Sequence, residues 1–189
     1  MSEDELYIVD QIKTWVWSGF YDNQETNEFL DDLLEGDVDE AMLRVLIEDE
    51  FEKKKTQERD WPLNTDCDKL DEVFRDLNDS MIIAIQNAGY TTDDGLDEVG
   101  EIHATQPHGT YRGYCFYHGQ DLARAVAGEG LMFAYGDMKD SDEGKAAIAL
   151  AIIGALERQG FAVEWNGSIQ TKIKVPKIQW QRRLMDQRA

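Results

Sequence analysis

Polar side chains at the ends of predicted strands and helices are the residues of this chain best placed to do chemistry. Element ends gather binding and catalytic groups in α/β-type folds, because loops there are exposed and held by a rigid scaffold. Asp66 and Asp121 could equally serve as helix caps, which is a purely structural role. The candidate catalytic residues all lie between positions 66 and 121, and they are Asp66, Asp68, Gln86, Asn87, His118, Gln120 and Asp121.

A second set of side chains, rich in histidine and aspartate, could hold a metal ion. The spacing of these residues matches no EF-hand, and a zinc site would require more closely spaced ligand pairs. A solvated acidic loop is the structural alternative, and we expect no cofactor. The candidate metal ligands are His103, His108, Asp93 and Asp94, with His118, Asp97 and Glu98 as further members of the set.

The two cysteines have different predicted environments. Cys67 is a candidate nucleophile because it lies in the first turn of a predicted helix, where the helix macrodipole lowers the pKa of a thiol. Asp66 and Asp68 flank it and act in the opposite direction. Cys115 lies in a predicted core strand. The sequence contains no phosphate-binding loop, no GxSxG motif and no dinucleotide-binding glycine motif. No known catalytic motif therefore supports the candidate polar residues.

The charge of the chain is strongly negative. Its 189 residues include 39 acidic and 19 basic ones, for a formal charge of −20, and residues 1–60 alone hold 19 acidic against six basic residues. Such a charge opposes binding to nucleic-acid phosphates and anionic membranes, and it suits docking on a basic protein. No secretory signal or membrane-spanning segment is recognised, so we expect a cytoplasmic protein with reduced thiols.

The C-terminal tail reverses this charge. Residues 172–189 contain one acidic residue, Asp186, and six basic ones, which are Lys172, Lys174, Lys177, Arg182, Arg183 and Arg188. This tail could dock on the acidic N-terminal residues within the chain or between chains. Alternatively, both are solvated surfaces, since surface ion pairs contribute little to stability.

The elements that must position these residues centre on the segment from Tyr111 to Asp137. An aromatic run at 114–117 predicts a buried strand, residues 122–126 show helical spacing, and a second apolar run at 131–135 predicts another strand. The direction of the second strand relative to the first stays open, because the connection is short. This segment would place His118 and Asp121 at the junction of a strand and a helix.

The flanking segments complete an α+β pattern. Three acidic helices precede residue 61, and Ser2 with Glu5 predicts a capping box at the start of the first. Gly19 and Gly36 end the first two helices, and Asp37 with Glu40 caps the third. A helix from about residue 65, a strand at 81–85, and a loop at 88–110 with a short helix around 96–102 follow. A long apolar helix at 143–159 then leads to two strands joined by the hairpin signal Asn166-Gly167.

The simplest packing of these elements is an α+β fold, a ferredoxin-like two-layer sandwich of about five strands with an N-terminal helical extension. We expect residues 1–60 to form an acidic helical segment packed on the main domain. Residues 61–189 would form the α+β domain with its basic tail.

Five sequence blocks resemble, in the same order, the signature blocks of an uncharacterised bacterial family of unknown function. They are WPLNTDCDKLDEVF, AIQNAGYTTDDG, GYCFYHGQDLARAV, LMFAYGD and VEWNGSIQTKIKV, and the early block VWSGFYD is also similar. Some members of that family carry cysteines where this chain has residues 87–95, so a thiolate metal site that they imply is not expected here. The last third, with GFAVEWNGSIQTKI, also resembles the regulator of ribonuclease activity B, which is a small acidic ferredoxin-like protein that inhibits an RNA-degrading enzyme by binding it.

Two hypotheses for the function follow. The first is an interaction or regulatory module that binds a basic protein partner, based on the charge, the lack of a catalytic motif and the regulator resemblance. The second is a small-molecule or metal-binding enzyme that uses the polar cluster at residues 66–121. We favour the first, expect no direct binding of nucleic acid or membrane, and leave open whether the chain forms homo-oligomers.

Overall fold

The computed structural model describes residues 2–34 and 38–184, and the chain divides into two compact units. The helical unit comprises Met1–Thr65 with Trp180–Ala189, and the α+β unit comprises Asp66–Gln179. The predicted stop at Gly36 and the predicted cap at Asp37 lie outside the described residues. How residues 1–60 pack on the main domain stays a prediction. None of the described helices is long and apolar enough to cross a membrane.

The helical unit is built from α1, Glu3–Ser18; α2, Asn23–Leu33; and α3, Glu40–Gln57, followed by the short 3-10 turn Glu58–Asp60. Ser2 and Glu5 form the predicted capping box at the start of α1, and Gly19 ends this helix in the left-handed region, with φ 76°. The three helices bury an apolar core against one another, made of Ile8, Val9, Ile12, Val16, Leu30, Leu43 and Ile47.

Residues 180–184 of the basic tail belong to the helical unit and pack within it. The Trp180 indole donates a hydrogen bond to the Ser18 carbonyl at 3.0 Å. The Arg182 guanidinium is buried and lies 4.6 Å from the centre of the Phe20 ring. Arg183 donates to the main-chain carbonyl of Pro62 at 3.1 Å. Aromatic rings and backbone carbonyls therefore help to hold the two arginines.

The α+β unit contains a mixed sheet in which the strand order follows the sequence. The strands are β1, Ile82–Gln86; β2, Gly113–Tyr117; β3, Leu131–Asp137; and β4, Ile173–Val175. β1 and β2 are parallel, whereas β2 with β3 and β3 with β4 are antiparallel. The helices are α4, Asp66–Asp79; α5, Thr92–Ala104; α6, Gly119–Val126; and α7, Asp142–Arg158. The mixed α+β class with an N-terminal helical region is thus confirmed.

Helices cover both faces of this sheet. Phe116 of β2 packs on Gly95 of α5, where an added Cβ would clash with the ring. The next residue, Tyr117, contacts Phe74 of α4 with ring centroids 5.6 Å apart. Because neighbouring side chains of a strand point to opposite faces, α5 and α4 lie on opposite sides of the sheet. The sheet is therefore the middle of three layers, and the predicted ferredoxin-like two-layer sandwich is not confirmed.

The predicted number of strands is corrected at the C-terminal hairpin. Its first arm forms a single bridge, between Glu164 and Lys174, instead of a strand. The Asn166 carboxamide oxygen accepts hydrogen bonds from the Ser168 main-chain N–H and the Thr171 hydroxyl, at 2.9 and 2.7 Å. This local turn replaces cross-strand pairing, as asparagine side chains often do. Among the described residues the sheet consequently has four strands rather than about five.

The predicted loop at 88–110 is mostly a helix. Thr91 and Asp94 form a capping box that starts α5, which then runs to Ala104. The helix is the crossover that joins the parallel neighbours β1 and β2, a connection that such a pair requires. α5 is therefore longer than the predicted short helix, and it positions the loop at 87–91 beside the start of α6, where the Gly119 N–H donates to the Gly89 carbonyl at 2.9 Å.

Candidate functional site

Two of the candidate catalytic residues, His118 and Asp121, contact Lys172 at the start of α6. His118 directly follows β2 and is the N-cap of α6, where its Nδ1 accepts a hydrogen bond from the Asp121 main-chain N–H at 3.4 Å. The Lys172 Nζ donates to the Asp121 Oδ2 at 2.8 Å and lies 2.9 Å from the His118 Nε2. The His118 Nε2 also lies 3.1 Å from the Asp121 Oδ2. These side chains form a closed triangle of acid, base and imidazole.

Burial and charge together set the state of this imidazole. Both His118 and Asp121 are buried, with side chains 4% and 5% exposed, whereas the Lys172 side chain is 30% exposed. Burial lowers the pKa of His118 and the Lys172 ammonium lowers it further, which outweighs the opposing effect of the Asp121 carboxylate. The imidazole is therefore neutral near pH 7, and Lys172 with Asp121 forms an ion pair beside it.

A cleft of about 180 Å³ lies next to this triangle on the face of the sheet that α5 covers in part. Thr92 and Leu96 of α5 form one wall, and the segment from Ile169 to Lys172 forms the other. Tyr114, Phe116 and Ala134 contribute to the lining between them. Lys172 is thus shared between the triangle and the cleft, which gives the cleft one cationic group over an otherwise largely aromatic and apolar surface.

Two of the other candidate catalytic residues, Asp66 and Gln86, have hydrogen-bond partners outside the triangle. Asp66 accepts hydrogen bonds from Lys69 Nζ at 2.9 Å and from the Gln179 main-chain N–H at 3.1 Å. Gln86 donates to Asp71 at 2.8 Å and accepts from the Tyr117 hydroxyl at 3.1 Å. Asp68 is half-buried in the first turn of α4. Asn87 follows β1 and has a φ of 54°, and Gln120 is exposed in the first turn of α6.

The candidate metal ligands divide between the two ends of α5. Asp94 caps the N-terminus, where its Oδ2 accepts from the main-chain N–H groups of Tyr90 and Thr91, and Asp93 is exposed beside it. His103 lies in the last turn, with its ring centroid 6.0 Å from that of His108. Across residues 2–34 and 38–184, no three histidine, cysteine or acidic side chains are grouped so that they could hold a metal ion.

Both thiols are inaccessible in the described structure. Cys67 and Cys115 are free cysteines with no exposed surface. Burial raises the pKa of Cys115 far above its ordinary value, so this thiol is protonated and unreactive. Cys115 is thus a core residue as predicted, and the nucleophilic role considered for Cys67 lacks the exposure that such a role requires.

A second feature lies in the helical unit, between α1 and α2. Phe29 is 5.4 Å from the Trp15 ring and 4.9 Å from the Tyr21 ring, measured between centroids, and all three rings are half-buried. Glu25 and Asp32 are exposed and stand four residues before and three residues after Phe29, so they share its side of α2. We call these five residues the aromatic–acidic patch.

The chain is similar to one known protein family over almost its whole length. The model of a domain of unknown function, DUF6891, matches residues 1–184. The chain belongs to the DUF6891 family. This confirms the sequence-based assignment to a family of unknown function. No curated protein and no solved structure matches the chain. The weaker resemblance to the regulator of ribonuclease activity B is not confirmed and stays a prediction.

For this DUF6891 member, the sequence identified His118 and Asp121 of the triangle as candidate site residues but did not identify Lys172. His118 and Asp121 were candidates because they end a strand and begin a helix. Lys172 was counted only as part of the basic tail, although it immediately precedes β4. Its contact with Asp121, 51 positions away, depends on the pairing of β3 with β4, which no local pattern reveals.

Proposed function

We propose that this DUF6891 protein is an interaction or regulatory module that binds a basic protein partner through the aromatic–acidic patch. The observation that carries the proposal is the three-ring cluster around Phe29, half-exposed and flanked by carboxylates. Aromatic rings and carboxylates together recognise arginine and lysine, through cation–π contacts and ion pairs. Aromatic side chains are also enriched at the centres of protein interfaces, where they supply much of the binding energy.

The charge around the patch supports this proposal. α2 contains no lysine or arginine, and α1 contains only Lys13. Exposed carboxylates on the two helices include Asp10 and Glu28 in addition to the two carboxylates of the patch, whereas Asp31 is paired with Arg44 of α3. A surface of one sign attracts a partner of the opposite sign and speeds its association, with a strong dependence on ionic strength.

The packing of the tail shows that arginine fits the surfaces of this helical unit. Arg182 lies over the Phe20 ring at 4.6 Å and over the Trp180 ring at 5.6 Å. Arg183 lies 5.7 Å from the centre of the Trp61 ring. The patch offers a similar combination of rings, with carboxylates added, to an arginine-rich segment of another protein.

The alternative function, an enzyme built on the polar cluster at 66–121, has less support. It needs Asp66, Gln86, His118 and Asp121 to converge, and the contacts of Asp66 and Gln86 are with other partners. We therefore favour binding over catalysis. We also infer a cytoplasmic location, which the two free cysteines support.

An arginine–glycine repeat peptide tests the proposal, with tryptophan fluorescence as the measure of binding. We expect saturable binding that weakens steeply between about 20 and about 300 mM sodium chloride. Phe29→Ala should weaken binding about tenfold by removing the central ring, and Asp32→Lys should weaken it further by adding a positive charge. Glu157→Lys makes the same charge change at an exposed position of α7 and is the matched control. Equal losses for Asp32→Lys and Glu157→Lys would contradict a specific patch.

A further inference from the structure

The cleft beside Lys172 has features of a small-ligand site. It lies in the α+β unit, whereas the aromatic–acidic patch lies in the helical unit, so the two proposals stand on separate residues. Its shape follows from the register of β2 with β3, in which Tyr114 is opposite Gly136 and Phe116 is opposite Ala134. Two large rings on one strand therefore face two of the smallest residues on the next, which leaves a trough along the sheet.

The rings that line the trough are held in place. Tyr114 and Phe116 are stacked, with centroids 6.1 Å apart and planes inclined by 22°. Phe116 is fixed from α5 by Gly95, where an added Cβ would overlap the ring, and Tyr114 lies over Gly136 in the same way. Planar ligands pack well on preformed aromatic surfaces of this kind, because no side-chain freedom is lost on binding.

The cationic end of the cleft is equally preorganised. The Lys172 ammonium has three N–H donors, and its contacts with Asp121 Oδ2 and His118 Nε2 orient it from the buried side. Asp121 Oδ2 uses one of these donors and His118 Nε2 at most one more, so at least one N–H remains for a ligand acceptor. The buried carboxylate and imidazole hold the partly exposed lysine in position to bind an anionic group. The hydrogen bond to such a group would be charge-assisted and therefore stronger than one between neutral groups.

We propose that this cleft binds a small planar aromatic carboxylate, with its ring against Tyr114 and Phe116 and its carboxylate accepting a hydrogen bond from Lys172. The volume of about 180 Å³ limits the ligand to a single ring with a short substituent. Since Asp121 already neutralises much of the lysine charge, the affinity of the simplest such compound should be modest. For benzoate we expect a dissociation constant on the order of 1 mM.

The test is a titration of the full chain with benzoate, in which the backbone amide chemical shifts are measured by NMR at each concentration. We expect saturable shifts at Tyr114, Phe116, Ala134 and Lys172. Benzamide, which has the same shape without the charge, should bind about tenfold more weakly. Absence of saturable shifts at the cleft, or equal affinity for the two compounds, would overturn the proposal.

Variants at the exposed rim residue Gln170 test the charge requirement without disturbing the triangle. Gln170→Glu should weaken benzoate binding about threefold and Gln170→Lys should strengthen it by a similar factor, with benzamide unaffected by either. Lys172→Met should abolish the preference for benzoate, whereas Lys177→Met, at an exposed position after β4, should retain it. If the Gln170 variants leave benzoate affinity unchanged, the assignment of an anionic ligand is wrong.

Discussion

His118 shows how much one side chain can depend on groups far away in the sequence. Its burial disfavours the charged imidazolium, Asp121 of α6 attracts that charge, and Lys172, which precedes β4, repels it. The sequence alone identified the histidine but could not assign its protonation state, because the desolvation and the lysine both arise from tertiary packing. The net result, a lowered pKa, has a measurable consequence for stability.

We predict that the free energy of unfolding falls with pH below 6.5 in part because of His118. A histidine whose folded pKa is lowered binds a proton more readily when unfolded, so stability rises with pH between its folded pKa and the ordinary value of 6.5. One such proton corresponds to a slope of up to about 1.4 kcal/mol per pH unit. The free energy of unfolding would be measured by urea denaturation at pH values from about 5 to about 7.5. Its dependence on pH should be weaker in His118→Asn, a variant that retains an N-cap side chain. An unchanged slope would exclude this role of His118.

The two thiols provide a further prediction at the level of single residues. Cys67 and Cys115 have no exposed surface, and a thiol must be reached as the thiolate to react. Ellman's reagent should therefore modify neither cysteine in the folded protein and both after unfolding in urea. Rapid labelling of Cys67 in the folded state would revive its candidacy as a nucleophile.

At the level of elements, α5 contains two glycines with opposite environments. Gly95 is buried under the Phe116 ring, and an added Cβ would overlap that ring, whereas Gly100 is exposed with no atom near its Cβ position. Alanine is the better helix former at any unobstructed site, by about 0.5–1 kcal/mol. Replacement by alanine should therefore change the free energy of unfolding in opposite directions at Gly95 and Gly100. The two positions are about 8 Å apart along the helix, because each of the five residues adds a rise of about 1.5 Å.

We predict that Gly100→Ala raises the free energy of unfolding by about 0.5–1 kcal/mol and that Gly95→Ala lowers it by about 1–3 kcal/mol. Urea denaturation of the two variants and the parent protein measures both changes, and each variant controls for the other. Stabilisation by both substitutions would mean that α5 does not pack on β2 as described.

Elements with strong local signals were predictable from the sequence. The capping box at Ser2 and Glu5 and the left-handed Gly19 set the bounds of α1, and the central strand, helix and strand occur where their apolar runs indicated. The pairing of strands in the C-terminal hairpin was not predictable from the sequence. The hairpin signal at Asn166 and Gly167 suggested two strands, but the asparagine side chain satisfies local groups and only a bridge forms. α5 was underestimated because its charged residues obscured a helical start at Thr91.

At the scale of the whole molecule, the formal charge of −20 is the dominant property. Repulsion among so many carboxylates opposes compaction, and added salt screens it. We predict that the melting temperature rises by a few degrees between about 10 and about 200 mM sodium chloride. Potassium chloride should give the same rise, since screening depends on ionic strength rather than on the cation. A melting temperature that falls with salt would indicate that attractive ion pairs outweigh the repulsion.

The negative charge favours the proposed binding of a basic protein partner through the aromatic–acidic patch. Site-specific photo-crosslinking in cells tests this proposal most directly. Glu28 is exposed on α2 directly before Phe29, and Glu157 is exposed on α7. Each would be replaced in turn by p-benzoylphenylalanine, and covalent adducts would be identified after irradiation. We expect position 28 to yield an adduct with a basic protein through an arginine-rich or lysine-rich segment, and position 157 to yield none. Adducts of equal amount at both positions, or none at position 28, would contradict the proposal.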